Sequence, residues 1–274
     1  MKRDKSIRKF FAVLAVDFYK LFRSRSFYVV FGIYAGLTLL NIFLNKAVNV
    51  LLDVTYNGEM LTPGADAFTS NPLFGANINY GNLGLFLVIF FAVFLCSEFK
   101  DNTIRNKLTQ GYSRTTVYFA SLTFTYIVSA MAVVLSSLIV AAVGIPVLGW
   151  VHTDYALQYA LYALFALLPL VALIHTLAYG TRSLGITLGV GLPIIIILPT
   201  VMGILNLFVN QSKAIEWTTR IFFISLEEYI NLTLQLPQTS VIPKLVLNAS
   251  LTYVLWTALF IVCGYLSFTK KDIK

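Results

Sequence analysis

Residues 117–143 read VYFASLTFTYIVSAMAVVLSSLIVAAV, a run of apolar and small side chains without Asp, Glu, Lys or Arg. A helix needs about 20 mostly apolar residues to cross the hydrocarbon core of a bilayer, and this run is long enough. A charged side chain at the centre of such a helix costs about 2.5–3.5 kcal/mol on the insertion scale, which explains the exclusion. The stretch therefore predicts a membrane-spanning α-helix.

Five further stretches have the same character and are spread along the whole chain. They cover residues 27–45, 80–97, 156–179, 184–209 and 247–268. The chain of 274 residues is 58% hydrophobic and only 12% charged, whereas a soluble domain carries about 25% charged residues. These features predict one all-α, polytopic membrane domain over residues 1–274, with six transmembrane helices.

The basic residues predict the direction of these spans. Sixteen of the 20 Lys and Arg residues lie before span one, after spans two and four, and after span six. Cytoplasmic loops are enriched in Lys and Arg, so this distribution places both termini in the cytoplasm. The net charge of +8 is thereby explained by basic residues that orient the spans and face the anionic inner leaflet. We therefore expect no nucleic-acid partner.

An amphipathic segment, residues 1–26, precedes the first span. Its apolar side chains recur with helical periodicity and share an arc of roughly 120°. Asp17 lies at the edge of this arc, three residues before Lys20, where a surface pair can form. The segment predicts an entry helix in the membrane interface, either a simple anchor or a lever beside a partner. Its apolar residues are Ile7, Phe10, Phe11, Leu14, Phe18, Leu21 and Phe22.

The loop between spans two and three, residues 98–114, reads EFKDNTIRNKLTQGYSR. Asn102 or Thr103 suits the N-cap of a short helix, and Gly111 suits its end. Ser113 then offers an N-cap for the helix of span three. The loop therefore predicts a compact cytoplasmic helix held between two spans.

In this loop the chain resembles the permease subunits of type-2 ABC exporters. Members often have an acidic residue at the end of the second span, then a Thr-Ile-Arg-Asn-like run and a Gly-x-Ser-Arg turn. The chain departs from the pattern at Asp101 and Asn102, where a glycine commonly precedes the Thr-Ile pair. Its matching residues are Glu98, Thr103, Ile104, Arg105, Asn106, Gly111, Ser113 and Arg114.

The resemblance implies that residues 98–114 form a coupling loop against a separate ATPase subunit. We expect Ile104 and Leu108 to insert into a groove of that subunit, with Arg105 and Lys107 at the rim. Glu98 is expected to hold the angle of the loop through a salt bridge. The implied coupling residues are Glu98, Thr103, Ile104, Arg105, Asn106, Leu108, Gly111 and Arg114. The implied entry-helix interface is formed by Phe10, Phe11, Leu14, Phe18 and Phe22.

The resemblance also implies the partners and the cargo. Two copies of an ATP-binding cassette ATPase would bind ATP and Mg, and a second permease copy, identical or homologous, would complete the exporter in a bacterial cell membrane. This chain has no Gly-x-x-x-x-Gly-Lys phosphate loop, so we expect no enzymatic activity, cofactor or metal within it. The expected cargo is amphipathic or hydrophobic, such as a peptide antibiotic, a toxin or a lipid-like molecule.

Span five and the segment after it carry further candidate residues. Gly185 and Gly189 permit close helix approach. Together with Pro193 and Asn206, they are candidates for a dimer seam or for the wall of the transport path. In the outer segment, residues 210–246, apolar and polar residues alternate. The resemblance implies that this segment forms two short helices that dip towards the outer leaflet.

Two other classes of function remain open from the sequence. One is a membrane sensor or assembly subunit that binds an ATPase through the same helices without transport. The other is an ion-coupled carrier. His175 is the one ionisable group away from a span end, and ion-coupled carriers usually mark their path with buried charges, so the sequence favours the exporter.

Overall fold

The computed structural model describes residues 2–55, 80–148, 156–206 and 242–271 of the chain. In these ranges every regular element is a helix, which confirms the predicted all-α class. In chain order the helices are α1 (Lys2–Arg23), α2 (Arg25–Thr55), α3 (Tyr80–Lys100), α4 (Thr103–Thr109), α5 (Arg114–Ile139), a π-helical turn (Val140–Gly144), α6 (Ile145–Leu148), α7 (Ala156–Thr181), α8 (Leu184–Asn206) and α9 (Ile242–Lys270).

Within the described residues, four helical segments are long and apolar enough to cross a membrane: Arg25–Leu44, Leu83–Lys100, Arg114–Gly144 and Leu251–Lys270. Two shorter apolar segments, in α7 and α8, cover Leu167–Thr181 and Leu184–Ile197. These helices indicate that the protein associates with a membrane.

Some helix boundaries differ from the sequence prediction. The helix of the first span does not end at residue 45 but continues to Thr55, because no Gly or Pro interrupts the sequence between Ala47 and Asn57. The last helix begins at Ile242, earlier than residue 247, and Pro243 is tolerated in its first turn. Residues 210–241 of the predicted outer segment, and its two expected helices, lie outside the described residues.

Helix α7 lies at the centre of the bundle and packs against α9, α3, α5 and α8. Helices α7 and α9 approach closely at Gly264, where an added Cβ would lie 2.5 Å from Thr176 Oγ1 and 3.1 Å from Thr176 Cα. At Gly191 of α8, an added Cβ would lie 2.9 Å from the Val88 side chain of α3. Glycine at these two positions therefore lets the helices approach one another.

The polar groups inside the apolar helices make hydrogen bonds within and between helices. The hydroxyls of Tyr34 on α2 and Ser136 on α5 are 2.7 Å apart, and His175 Nε2 on α7 lies 3.3 Å from Ser121 Oγ on α5. Ser136 and His175 thus make hydrogen bonds between helices. Ser129, in contrast, donates to the Thr125 carbonyl of its own helix.

An aromatic cluster joins α1 to the bundle. The ring of Phe18 lies edge-on to Phe124 of α5, with 5.1 Å between the centroids. Phe124 in turn stacks on Phe94 of α3 at 5.1 Å. Such aromatic pairs contribute about 0.5–1.5 kcal/mol beyond the area that they bury. They fix α1 beside the ends of α3 and α5, where α4 also lies.

Candidate functional site

Helix α4 begins after a turn that requires an unusual backbone conformation. Asn102 precedes the helix with φ 53°, in the left-handed region that glycine adopts most easily and asparagine tolerates better than most residues. Its side chain makes no capping hydrogen bond, so Asn102 occupies the predicted N-cap position without the predicted cap interaction. A glycine at position 102 could adopt the same conformation without a steric penalty.

The end of α4 agrees with the sequence prediction. Gly111 has φ 83°, and its N–H donates to the Leu108 carbonyl at 3.0 Å. The N–H of Tyr112 donates to the Lys107 carbonyl at 3.3 Å, which completes a Schellman motif. Ser113 then caps α5 by accepting a hydrogen bond from the Thr116 N–H at 3.1 Å. The chain is therefore tightly fixed on both sides of this turn.

Four charged side chains from α1, α3 and α4 meet beneath α4, and we call them the ion cluster: Asp17, Lys20, Glu98 and Lys107. Lys107 Nζ donates to Asp17 Oδ1 at 2.6 Å and to Glu98 Oε1 at 3.3 Å. Lys20 Nζ lies 3.6 Å from the same Glu98 oxygen. Asp17, Glu98 and Lys107 are buried, whereas Lys20 is partly exposed. The predicted salt bridge of Glu98 is confirmed, and it has two basic partners.

Burial and charge act in opposite directions on the groups of the ion cluster. Burial and the neighbouring Glu98 carboxylate raise the pKa of Asp17 to about 7, although Lys107 and Lys20 oppose this shift. Burial lowers the pKa of Lys107, but the carboxylates of Glu98 and Asp17 outweigh it, so the net shift is upward. Lys107 is therefore positively charged at neutral pH, while Asp17 is close to the midpoint of its titration.

The orientation of α4 corrects the sequence prediction for two residues, Ile104 and Lys107. Ile104 is 1% exposed and belongs to the hydrophobic core, and Leu108 packs against that core. Lys107 lies in the ion cluster, not at the rim of a partner groove. The reason is geometric: α4 lies against α3 and α5, so its apolar face closes the end of the bundle. The prediction that Ile104 inserts into a partner is therefore wrong, whereas for the half-buried Leu108 it stays a prediction.

The opposite face of α4 is polar and exposed. Arg105 and Asn106 point away from the bundle, as does Thr109. Thr103, another predicted coupling residue, is half-buried at the start of the helix. Of the coupling residues in the helix itself, Arg105 and Asn106 are therefore the exposed ones.

Arg114, also predicted to couple to a partner, is bound to the end of the last helix. Its Nη1 donates to the carbonyl oxygens of Thr269 at 2.7 Å and Lys271 at 3.0 Å. Arg182 Nη2 lies 3.4 Å from the Lys271 carbonyl, and Lys271 Nζ donates to the Gly180 carbonyl. Cations at a helix C-terminus complement its dipole, so these residues join α5, α7 and α9 at the end of the bundle that carries α4.

The apolar arc of the entry helix divides into two surfaces. Leu14 and Phe18 pack against the core, and Phe10 is half-buried. Phe11 is 60% exposed, and Phe22 is exposed as well. Asp17 lies in the middle of the packed surface and not at the edge of the arc, and it pairs with Lys107 instead of Lys20. The predicted Asp17–Lys20 surface pair is therefore wrong.

Three of the four candidate residues of span five lie on the outside of the bundle. Gly185, Gly189 and Pro193 are exposed on α8, and a Cβ added at Gly189 would meet nothing within 4 Å. Asn206 is the last residue of α8. The glycine that brings α8 close to a neighbouring helix is Gly191, which the sequence prediction did not select for this role.

A signal for the ion cluster was present in the sequence. Asp17 stands four residues after Val13 and four before Leu21, so it shares their buried helix face. Lys107 stands three residues after buried Ile104 on the same face of α4. Asp17 and Lys107 thus carry opposite charges, and each lies on a helix face that is otherwise buried. This pattern indicates a buried ion pair, but the spacing alone does not show that the two faces contact each other.

The fold and this site define a class of protein: an all-helical, membrane-associated bundle with a short polar helix clamped at one end. Residues 68–274 match the model of a family described as "Protein of unknown function (DUF2705)". The match covers more than half of the chain, so the protein belongs to this family. No curated protein matches the chain.

Proposed function

We propose that the chain is the membrane-spanning subunit of an ATP-driven exporter, with a separate ATPase that binds at α4. The observation that carries the proposal is the rigid attachment of α4. The helix follows α3 through a tight turn at Asn102, precedes α5 through the Gly111 turn, and is joined to α1 by the buried Lys107–Asp17 contact of 2.6 Å. A partner that pushes on α4 therefore acts on α1, α3 and α5 together.

The remaining parts of the exporter follow from the same assignment. The helices cross a bacterial cell membrane six times, with both termini and α4 in the cytoplasm. ATP and Mg bind to the two ATPase copies, which draw together and rock the helices. The exposed flank of α8 with Gly185, Gly189 and Pro193 forms the seam with a second permease, identical or homologous. The cargo is an amphipathic or hydrophobic molecule.

Co-purification tests the proposal. The candidate partner is an ATP-binding cassette protein, to be sought in the reading frames next to this chain's gene. The two proteins should purify as a complex, and ATP hydrolysis in nanodiscs should rise when amphipathic peptides are added. Two results together would indicate the sensor or assembly function instead. ATP hydrolysis by the complex would not respond to any cargo, and cells in which the gene is deleted would accumulate no cargo. Absence of a complex contradicts both functions.

A further inference from the structure

The buried part of the ion cluster contains more negative than positive charge. Asp17, Glu98 and Lys107 are each at most 6% exposed, and we call them the buried trio. Lys107 Nζ is bonded to both carboxyl groups, so two acids share one buried cation. With both acids ionised, the buried trio carries a net charge of −1. An uncompensated buried charge is costly, so the buried trio needs a further cation or a proton.

Lys20 is the further cation, but it lies on the side of Glu98. Its Nζ is 3.6 Å from Glu98 Oε1, and its side chain remains 28% exposed. The same Nζ donates to the Ser97 hydroxyl at 3.2 Å. Among the described residues, Glu98 therefore has two cations within salt-bridge distance, whereas Asp17 has Lys107 alone. The excess negative charge of the buried trio thus falls on Asp17.

The second oxygen of the Asp17 carboxyl group is the place where a proton fits. Asp17 Oδ2 and Glu98 Oε2 are both buried and accept no hydrogen bond from any described residue. Asp17 Oδ1 already accepts the N–H of Lys107 at 2.6 Å, so a proton on this carboxyl group belongs on Oδ2. The raised pKa of Asp17, about 7 through burial and the neighbouring Glu98, agrees with this assignment.

The charged groups around Asp17 come from three helices. Glu98 of α3 raises the pKa of Asp17, whereas Lys107 of α4 and Lys20 of α1 lower it. The hydroxyl of Tyr179 on α7 is a further titratable group on which both carboxyl groups act. The protonation of Asp17 therefore depends on the positions of α1, α3 and α4 relative to one another.

Helix α5 also packs along α1, but its titratable side chains are engaged elsewhere. Arg114 binds the Thr269 carbonyl at the end of α9. The hydroxyls of Tyr118 and Tyr126 donate to backbone carbonyls of α9 and α7. Within the described part of α5, no charged side chain is therefore directed at the ion cluster.

Helix α1 has a joint at its C-terminal end. Ser24 lies outside both helices, between the end of α1 at Arg23 and the start of α2 at Arg25. Hinges are often single residues of this kind, which absorb a change of backbone angles between two rigid elements. Movement of α1 about Ser24 would bring Asp17 into water, where the ordinary pKa of the carboxyl group is 3.8. Opening would therefore release the proton.

We propose that the ion cluster is a proton-operated latch that holds α1 against α3 and α4. While Asp17 Oδ2 carries a proton, the buried trio is neutral and α1 stays closed. When the O–H bond breaks, the electron pair stays on Oδ2 and the proton passes to water, and α1 opens more readily about Ser24. This inference goes beyond the proposed function, because it concerns the permease alone and holds whether or not an ATPase binds at α4.

Opening of the latch should increase with pH and then level off. The closed state binds a proton with a pKa of about 7, whereas the open state releases it above about 3.8. Between these values opening releases a proton and should increase about tenfold for each pH unit. Above pH 7 the carboxyl group is ionised in both states, so opening no longer depends on pH. Acidification around α4 therefore fastens α1 to the bundle.

Hydrogen exchange of the full-length protein in nanodiscs, followed by mass spectrometry, tests the latch. Amides of residues 10–22 in α1 and 117–133 in α5 are compared at about pH 5 and about pH 8, after correction for the intrinsic exchange rate. Protection of the α1 amides should fall roughly 100-fold over this range and stay at least about tenfold below that of α5. In Asp17→Asn it should change by less than about twofold. Constant α1 protection in the wild type, or equal protection of α1 and α5, would overturn the inference.

Two charge variants keep the test valid even if Asp17→Asn fails to fold. Glu98→Gln removes a carboxylate that raises the pKa of Asp17, so opening should level off at a lower pH than in the wild type. Lys20→Gln removes a cation that lowers this pKa, so opening should level off at a higher pH. Lys20→Arg keeps the charge and is the matched control. A purely structural role of these residues would not produce opposite shifts, so shifts in the same direction, or none, would refute the latch.

Discussion

The Nζ atom of Lys107 lies 2.6 Å from Oδ1 of Asp17, although 90 residues separate the two along the chain. Both side chains are almost inaccessible to solvent. Removing one partner of a buried ion pair leaves an uncompensated charge, and this generally costs about 3–5 kcal/mol. The contact therefore makes the position of α4 depend on that of α1.

Lys107→Ala should strongly destabilise the folded protein because it leaves Asp17 and Glu98 buried together without their shared cation. We expect a loss of about 3–5 kcal/mol in the free energy of unfolding. Thermal unfolding in detergent, followed by circular dichroism, measures the change. Arg105→Ala is the matched control, since this side chain is exposed on the same helix, and its unfolding temperature should stay near that of wild type. Equal behaviour of the two variants would mean that the pair contributes little.

The pH dependence of stability should reveal the titration of Asp17. Its pKa is about 7 in the folded protein against an ordinary value of 3.8, so between these values the folded state holds a proton that the unfolded state releases. The stability that this proton confers is greatest below about pH 4 and is lost as the pH rises through 7. Glu98, Lys20 and Lys107 are the charged groups that act on Asp17.

Asp17→Asn isolates this effect because the amide does not titrate in that range. When the pH is raised from about 5 to about 8, the unfolding temperature of the wild type should fall relative to that of Asp17→Asn. A difference that is constant with pH, or that shifts in favour of the wild type, would show that the carboxyl is ionised throughout this range.

Asn102 should accept glycine but not a β-branched residue. Its φ of 53° lies in the left-handed region, which costs most non-glycine residues roughly 1–2 kcal/mol. Asn102→Gly should keep the unfolding temperature of the wild type, whereas Asn102→Val should lower it. A matched Asn106→Val variant, on the exposed face of α4, controls for the loss of the amide. Tolerance of valine at position 102 would contradict the turn geometry.

Two glycines should respond differently to alanine. Gly264→Ala places a methyl group against Tyr118 Oη and Thr176, and overpacking of this kind typically costs about 1–3 kcal/mol. Gly189→Ala should leave the stability of the isolated permease unchanged, because its surroundings are open. For the proposed dimer, Gly189→Leu should weaken crosslinking between protomers. Crosslinking at wild-type strength in Gly189→Leu would exclude this flank as the seam.

Cysteine accessibility also tests the proposed topology. Cysteines at Arg105 and Lys271, both exposed, should react with an impermeant reagent only from the cytoplasmic side. Position 107 is unsuitable for this purpose because its side chain is buried. A cysteine at Glu59, which lies between the predicted spans 27–45 and 80–97, should react only from outside. Labelling of position 105 in intact cells would reverse the orientation.

Periodicity and length were sufficient to predict the fold class, because each apolar run by itself meets the requirement for a buried or membrane-embedded helix. The capping signals at Gly111 and Ser113 were equally local, and the structure confirms them. Which face of α4 is buried could not be predicted in the same way. Ile104 is buried because α4 lies against α3 and α5, and the relative position of helices is not encoded in the spacing of one short segment.

The partners of charged residues were also beyond the reach of local rules. Sequence proximity suggested Lys20 for Asp17, but the pair that forms joins α1 to α4. Arg114 looked available for a partner protein, yet its guanidinium binds carbonyl groups at the end of α9. In both cases the deciding contact lies far away in the chain, where only the three-dimensional packing brings the groups together.

The separation of Asp17 and Lys107 also has a consequence for biosynthesis. Asp17 leaves the ribosome 90 residues before its partner, so α1 is complete long before α4 exists. During that interval its carboxylate must remain hydrated at the membrane surface, since burying it without a cation would be costly. The packed flank of α1, with Val13 and Leu21 beside Asp17, can close only after α3 and α4 have been made. Helix α1 is therefore synthesised before α3 and α4 but reaches its final place only after them.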